Sequence, residues 1–328
     1  MSACLKAGRP RTDAYPTTGA PAVHAAWADT ALRDLVRGGI LQGSWAIDHG
    51  RTMEPATPQA NLDQLCSEIQ GMHPGLSSRP GSLSNRLASG MPLSHATGLD
   101  PFEKICGSGS LLSLARRHAV EPLDWSDHPV EVRMNTRDCV FLFAGPFRYP
   151  CVTACGFLFK PGLENARAAD GAASPFDSGG LVNHHRPPDN EDPLAFLQRH
   201  EMPIPDYRRY FMLVLDLLFE DPLHYLEGRD PVRPGPVRLE VGDSDARRWT
   251  FEVRLRDELP IRPALQALFV SKTAAGMSSV VETCSWCRAN GVDIVRYASP
   301  RGRDRDNFVT MQRKSIAYIR RRLVDGPG

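Results

Sequence analysis

Two short apolar runs near the middle of the chain constrain its fold more than any other feature. Cys139–Ala144 (CVFLFA) is followed by a Gly-Pro dipeptide, and Ala154–Lys160 (ACGFLFK) by a Pro-Gly dipeptide. Short apolar runs that end in turn-forming residues are typical of strands buried on both faces of a sheet. The sequence therefore predicts a β-sheet core in this region.

Helical and alternating patterns surround this core. Tyr207–Phe219 is apolar along most of its length and predicts a buried helix, whereas Arg247–Leu255 alternates and predicts a half-exposed strand. Ala267–Val270 predicts a further strand. The C-terminal segment predicts an amphipathic helix. Its apolar stripe consists of Phe308, Met311, Ile316, Ile319 and Leu323.

The domain organisation follows from where turn-forming residues collect. Residues 1–20 are polar and predict a flexible tail, and residues 21–328 predict a single globular domain containing both helices and strands. Turn-forming residues crowd the stretch from about 44 to 100, which predicts a loop-rich insertion, with a helix over Asn61–Gln70. Residues 162–195 predict a second long loop.

Charge and hydropathy exclude some classes of protein. The formal net charge is +1, from 39 basic and 38 acidic residues, so no long-range field recruits nucleic acid or an anionic membrane, although a local basic groove remains compatible. Asp216 interrupts the longest apolar run, which is too short to cross a bilayer, and the first residues lack an apolar signal core. We therefore expect a cytoplasmic protein whose eight cysteines are thiols.

Three segments carry candidate functional side chains. In residues 23–43, His24 precedes a capped helix that ends at two glycines. Residues 136–150 place aromatic side chains and Arg148 after a buried strand. In the third segment, Glu252 lies within the alternating strand and is flanked by Arg247, Arg248 and Arg254.

In this order the three segments resemble the ADP-ribosyltransferase fold, in particular the DarT-like DNA ADP-ribosyltransferases. The residues that match in the first segment are His24, Asp29, Leu32, Leu35, Gly39, Ile40 and Leu41. The second segment matches at Asp138, Val140, Phe141, Phe143, Pro146, Arg148 and Tyr149. In the third segment the match runs through Glu252, Val253, Leu255, Leu259–Ile261 and Leu265–Val270. The family's usual His-x-Thr is His-Ala-Ala here, which is a departure from the pattern.

The resemblance implies an α+β fold with a split antiparallel or mixed β-sheet core, flanking helices and long loop insertions. It also implies a glycosyltransferase that uses NAD as a substrate, with a toxin or antiviral-defence role. Glu252 would be the catalytic carboxylate and His24 would bind NAD. An aromatic side chain at Phe143 or Tyr149 would stack on nicotinamide, and Arg148 would pair with the pyrophosphate.

Each of these residues also has a purely structural interpretation. His24 could pack at a strand end, Arg148 could lie on the surface after a Pro turn, and Glu252 could lie on the solvated face of an edge strand. The arginines on either side of Glu252 could contact phosphates of NAD or of a nucleic acid, or could be solvated. Asp177, in the turn Pro175–Gly180, is a further possible substrate contact.

Two other functions fit the sequence. One is a catalytically inactive binding or scaffold component of a multiprotein or nucleic-acid complex, which would bind a protein partner or RNA through the basic face of the C-terminal helix. The other is a metal-dependent nuclease or hydrolase, for which Asp177, His184, His185 and Glu252 would have to converge. Cys284 and Cys287 form a CxxC pair, but no second pair follows, so we predict packing within a helix and no metal site.

Overall fold

A seven-stranded mixed sheet forms the centre of the fold in this computed structural model, which describes residues 57–77, 79–148, 154–241, 246–298 and 306–326. These residues belong to one compact unit, Arg51–Gly328. The predicted tail over residues 1–20, the segment that contains His24, and Tyr149 all lie outside the described residues.

The strands are short, as the sequence predicts. In chain order they are β1 (Leu93–Thr97), β2 (Ser110–Leu112), β3 (Cys139–Ala144), β4 (Cys155–Phe159), β5 (Gly171–Ser174), β6 (His185–Arg186), β7 (Glu240–Val241), β8 (Glu252–Arg256), β9 (Glu258–Pro260), β10 (Leu265–Ser271) and β11 (Asp293–Tyr297).

The large sheet has the strand order β11–β10–β4–β1–β3–β8–β5. All neighbouring strands in it are antiparallel except β10 and β11, which are parallel. Strands β2 and β9 form one small antiparallel sheet, and β6 and β7 form another. The predicted α+β class with a mixed sheet and flanking helices is therefore confirmed.

Helices flank this sheet. They are α1 (Pro58–Met72), α2 (Ser82–Gly90), α3 (Leu99–Ser108), α4 (Leu114–Val120), α5 (Pro129–Arg133), α6 (Gly180–Asn183), α7 (Pro193–His200), α8 (Tyr207–Leu217), α9 (Leu223–Glu227), α10 (Ile261–Ala264), α11 (Ser278–Ala289) and α12 (Asp306–Leu323). Several begin at side-chain caps: the side-chain oxygens of Thr57, Ser113 and Asp192 each accept a hydrogen bond from a backbone N–H in the first turn of α1, α4 and α7.

The stretch predicted as loop-rich contains regular structure in its described part. Helix α1 includes the predicted helical segment, and α2 and β1 follow it. Helix α2 forms because Ser84, Leu87 and Ala88 fall on one face and are buried. The prediction of loops was wrong for α2 because its short apolar stripe stands among many turn-forming residues.

The alternating segment is also organised differently from the prediction. Residues Ala246–Trp249 form a 3-10 helix, and only Glu252–Arg256 is a strand. Strand β8 lies between β3 and β5 rather than at an edge, and its first four residues are all buried. A half-exposed strand was therefore wrong for these four residues, because the polar side chains of Glu252 and Arg254 contact protein groups instead of water.

Aromatic side chains fill one side of the core. Helix α8 is the predicted buried helix, and its Phe211 lies 4.6 Å from Phe251 and 4.9 Å from Tyr225, measured between ring centroids. The Tyr225 hydroxyl donates to the Ala144 carbonyl at 2.8 Å and accepts from the Phe251 N–H at 3.3 Å. Tyr225 thus connects the end of β3 to the residue that precedes β8.

Helix α12 confirms the predicted C-terminal amphipathic helix. Phe308, Met311 and Ile319 are buried against the core, whereas Arg313 and Lys314 are exposed. Among the described residues, no helix is both long and apolar enough to cross a bilayer.

We predict that Tyr225→Phe lowers the free energy of unfolding by about 1–3 kcal/mol, because it leaves the buried Ala144 carbonyl and Phe251 N–H without their partner. Denaturant unfolding monitored by circular dichroism measures this change. Tyr318→Phe is the matched control, since the Tyr318 hydroxyl bonds the partly exposed carboxylate of Asp293, and should cost less than about 1 kcal/mol. Equal losses in the two variants would contradict the role assigned to Tyr225.

Candidate functional site

A row of side chains crosses four strands at one end of the sheet. Glu252, the first residue of β8, pairs with Phe143 of β3 on one side and with Ser174 of β5 on the other. Phe143 in turn pairs with Ser94 of β1. Residues directly opposite each other in antiparallel strands present their side chains on the same face, so these four share one surface of the sheet. All four are buried, and Glu252 is 0 % exposed.

The turn after β5 brings a second carboxyl group to Glu252. The Ser178 N–H donates to Glu252 Oε2 at 3.2 Å, and the Gly179 N–H donates to Asp177 Oδ1 at 3.0 Å. The other two oxygens, Glu252 Oε1 and Asp177 Oδ2, are buried and accept no hydrogen bond from the described residues. The negative charge of Asp177 raises the pKa of Glu252, so ionisation of one carboxyl group disfavours ionisation of the other.

Burial sets the protonation state of this pair. Loss of hydration raises the pKa of Glu252 to about 8; the guanidinium of Arg254 opposes this shift, and the negative charge of Asp177 adds to it. Burial also raises the pKa of Asp177 to about 6, against the opposing charge of Arg247. Near neutral pH the pair therefore holds one proton.

Arg254 connects the carboxyl pair to a third acid. Its Nε lies 3.3 Å from Glu252 Oε1, and its Nη2 donates to Glu201 Oε1 at 2.8 Å. Arg254 is 4 % exposed, so both contacts form where water screens them little. Removing either carboxylate partner would leave a poorly compensated charge in the protein interior.

The structure separates the three arginines that the sequence groups together. Arg247 and Arg254 both act electrostatically on the carboxyl pair. Arg248 instead forms an ion pair with Asp230, with 2.8 Å between Nη2 and Oδ1. Arg247 and Arg254 therefore belong to the candidate site, and Arg248 contacts a different segment.

Asp177 was predicted as a substrate contact, and the structure places it beside Glu252. The sequence did not predict Glu201 or Ser178 as part of the site. Glu201 is connected to the carboxyl pair through Arg254, and Ser178 donates its backbone N–H to Glu252. The Asp-Ser-Gly-Gly turn is the one signal that could have found Ser178, because such turns expose backbone N–H groups. Nothing in the local sequence around Glu201 marks it as a partner of Arg254.

Phe143 and Arg148 occupy different environments. Phe143 is adjacent to Glu252 across the sheet, as a ring that stacks on a substrate near this carboxylate would have to be. Arg148 is buried and donates from Nη2 to the carbonyl oxygens of Tyr225 and Leu226 at the end of α9. The alternative of a surface Arg148 was therefore wrong, and a pyrophosphate contact would compete with these two hydrogen bonds.

The adjacent histidines point in different directions. His184 is exposed, whereas His185 is buried and its Nε2 lies 3.2 Å from the backbone carbonyl oxygen of Asp177, not from its carboxylate. The His185 ring packs against Gly180, where a Cβ atom would collide with it. His185 therefore supports the turn that carries Asp177.

Metal-ligating side chains do not converge in the described part of the chain. It contains no group of three or more His, Cys, Asp or Glu residues placed to hold an ion. Cys284 and Cys287 are buried on α11, in agreement with packing within a helix. The binding of NAD by His24 stays a prediction, because His24 lies outside the described residues.

Comparison with known proteins gives structural matches only. No protein-family model and no curated protein matches the chain. The chain is similar in structure to DarT from Thermus sp. 2.9.

The matches to DarT are at low identity. The complex with ADP-ribosylated ssDNA is 11% identical and covers 63% of this chain and 94% of that chain, with a TM-score of 0.38. The complex with NAD+ is 10% identical, covers 63% and 95%, and has a TM-score of 0.36; the complex with carba-NAD+ is 9% identical, covers 63% and 94%, and has a TM-score of 0.34. At these values, activity has to be inferred from the side chains of the site.

We predict that the stability of the wild-type protein falls relative to Glu252→Gln as the pH rises from about 5 to 8. Because the pKa of Glu252 is raised to about 8 in the folded state, the folded protein binds more protons than the unfolded chain in this range, so unfolding becomes easier as pH increases. The difference should grow by up to about 1.4 kcal/mol per pH unit. Urea unfolding at pH 5.5, 6.5 and 7.5 measures it.

The matched control is Glu282→Gln, which removes an exposed carboxylate on α11. Its unfolding free energy should follow that of the wild type at all three pH values. Parallel pH dependences for the wild type and Glu252→Gln would show that Glu252 titrates normally and would contradict the buried pair.

Proposed function

We propose that this chain transfers ADP-ribose from NAD to an acceptor, with Glu252 as the catalytic carboxylate. The observation that supports this most directly is the buried Glu252 carboxyl, which is held by the Ser178 N–H and shares a sheet face with Phe143. Strongly shifted carboxyl pKa values are common at catalytic sites, and here both Glu252 and Asp177 are shifted upwards.

The reaction breaks the bond between the ribose carbon and the nicotinamide nitrogen, and the same carbon then bonds to a nucleophilic atom of the acceptor. Positive charge develops on the ribose as nicotinamide leaves, and the ionised carboxylate of Glu252 stabilises that charge. Oε2 is fixed by Ser178, whereas Oε1 accepts no hydrogen bond from the described residues and would accept one from a ribose hydroxyl while it stays beside Arg254 Nε. The low polarity around this carboxylate strengthens both interactions.

The remaining predicted contacts complete the proposal. Phe143 would stack on nicotinamide, because it lies directly opposite Glu252 in the sheet. His24 would bind NAD, and Tyr149 is the other aromatic residue that the sequence predicts for stacking on nicotinamide. Arg247 would contact phosphate, while Arg254 would hold Glu252 in position through its contact with Oε1.

The acceptor is a nucleic acid or a protein, and a toxin or antiviral-defence role in the cytoplasm is part of the same proposal. Single-stranded DNA is the first acceptor to test, since it is the ADP-ribosylated ligand in one of the DarT structures. The experiment is incubation of labelled NAD with the protein and with DNA, RNA or a protein mixture. Transfer of label to none of these, together with no release of nicotinamide, would overturn the proposal.

We predict that Glu252→Gln slows nicotinamide release from NAD by about 100-fold or more, because the neutral amide cannot stabilise the charge on the ribose. Thermal stabilisation by NAD should persist in this variant, since the amide occupies the same volume. Release is measured by chromatography under single-turnover conditions. Glu282→Gln is the control and should retain the wild-type rate; equal rates in Glu252→Gln and the wild type would exclude the proposed role.

We also predict that the rate of nicotinamide release by the wild type rises with pH towards about 8, because catalysis needs the ionised form of Glu252. Asp177→Asn removes the negative charge that helps to raise the pKa of Glu252, so the rise should move to lower pH. Asn still accepts the hydrogen bond from the Gly179 N–H, which preserves the turn. An unchanged pH profile in Asp177→Asn would argue against coupling of the two carboxyl groups.

A further inference from the structure

A second candidate site lies on the same sheet face as Glu252 but further along the strands. It is a cavity of about 730 Å³, within the usual size range of small-molecule sites. Cys139 of β3 and Arg254 and Arg256 of β8 line it on the sheet. Gly171 and Ala172 of β5 also line the cavity.

Arg254 lies between this cavity and the carboxyl pair. It lines the cavity, and its guanidinium contacts both Glu201, which is a lining residue, and Glu252, which is not. Two residues along a strand correspond to roughly 7 Å, so the cavity and Glu252 are neighbouring but separate.

Three flat side chains, those of His118, Trp125 and Arg137, lie together in the lining of the cavity and form the Trp125 cluster. The Trp125 ring lies 4.7 Å from the His118 ring, measured between centroids, and the Arg137 guanidinium lies 5.2 Å from the Trp125 centroid. All three residues line the cavity and are partly exposed. Such a cluster can be extended by a further aromatic ring, because both indole and guanidinium planes stack on nucleobases.

Positive charge is available beside this cluster. No salt bridge joins Arg137 to a carboxylate among the residues that the structure describes, and Arg256 is exposed, with its Nε 3.7 Å from Asp138 Oδ2. A pair at this distance on the surface is weak, so Arg256 can turn to an anionic ligand. Leu194 and Leu197 of α7 also line the cavity and offer apolar contact to a ring.

We propose that this cavity binds a nucleotide, with the base adjoining the Trp125 cluster and the phosphate at Arg137 and Arg256. The observations that carry the proposal are the volume of the cavity, the Trp125 cluster and the two arginines that line the cavity. The proposal does not depend on Glu252 being catalytic. A nucleotide of this kind has two sources, a free nucleotide or dinucleotide and one unit of a single-stranded nucleic acid.

Isothermal titration of the full chain carrying Glu252→Gln tests this proposal, because that substitution prevents turnover from confusing the binding signal. The ligands are AMP, NAD and a 5′-phosphorylated single-stranded DNA oligonucleotide. Trp125→Leu and Arg256→Ala should each weaken binding about tenfold, since one removes the stacking wall and the other a phosphate contact. Arg296→Ala is the matched control: Arg296 is exposed on β11, across the sheet from the cavity, and its loss should leave affinity unchanged.

The pattern of ligands distinguishes the two sources. If Trp125→Leu and Arg256→Ala weaken the binding of AMP and NAD, the ligand is a free nucleotide or dinucleotide. If they weaken the binding of the oligonucleotide, and AMP and NAD do not bind, the ligand is a nucleic-acid strand. The proposal is overturned if none of the three ligands binds, or if binding is unchanged in both variants. Arg256 is exposed, so Arg256→Ala decides the outcome if circular dichroism shows that Trp125→Leu does not fold.

Failure here and failure of the proposed function are separable. One outcome is that Glu252→Gln stops nicotinamide release but that substitution of Trp125 or Arg256 does not change nucleotide binding. This outcome would support the proposed transferase activity and contradict the proposed nucleotide site. The opposite outcome is nucleotide binding that Trp125→Leu or Arg256→Ala weakens, together with no cleavage of NAD by the wild type. It would support the nucleotide site and contradict the proposed transferase activity.

Discussion

Two carboxyl groups, those of Glu252 and Asp177, lie next to each other in a part of the protein that excludes water. Much of the surrounding structure offsets the free-energy cost of burying them together. Each carboxyl accepts one backbone N–H from the turn after β5. Arg247 and Arg254 supply positive charge, and the raised pKa of Glu252 keeps a proton on this carboxyl group near neutral pH, which removes the repulsion that two full negative charges would produce. The position of Glu252 at the start of β8 and the shape of the turn therefore act together to stabilise the buried carboxyl pair.

The groups that stabilise the carboxyl pair come from elements that are far apart in the sequence. Strand β5 places the turn beside β8, and α7 ends next to Glu201, which takes the outer end of the Arg254 guanidinium. Behind the sheet, the Tyr225 hydroxyl fixes the end of β3 to the residue before Glu252. A carboxyl group with a raised pKa needs such support, because any opening that admits water would return the pKa towards its ordinary value.

The sequence predicts the elements of this fold better than the contacts among their polar side chains. Cys139–Ala144 and Tyr207–Leu217 are recognisable because continuous apolar runs allow few alternatives. Glu252 and Arg254 were assigned to a solvent-exposed face, because the alternation of apolar and polar residues normally indicates one face in contact with solvent. This alternation does not reveal that protein groups, in place of water, contact the polar side chains. Glu201 escaped notice because its partner lies 53 residues away and no local signal connects the two.

The arrangement around Arg254 has a consequence for what can enter the site. Three carboxyl groups, from Asp177, Glu201 and Glu252, face two guanidinium groups, from Arg247 and Arg254, and the proton on the carboxyl pair brings the cluster to electrical balance. A cationic ring that approached Glu252 could replace this proton without upsetting the balance, whereas an anion would add an uncompensated charge in a medium of low polarity. The cluster thus selects for the sign of an incoming group before any contact of shape is made.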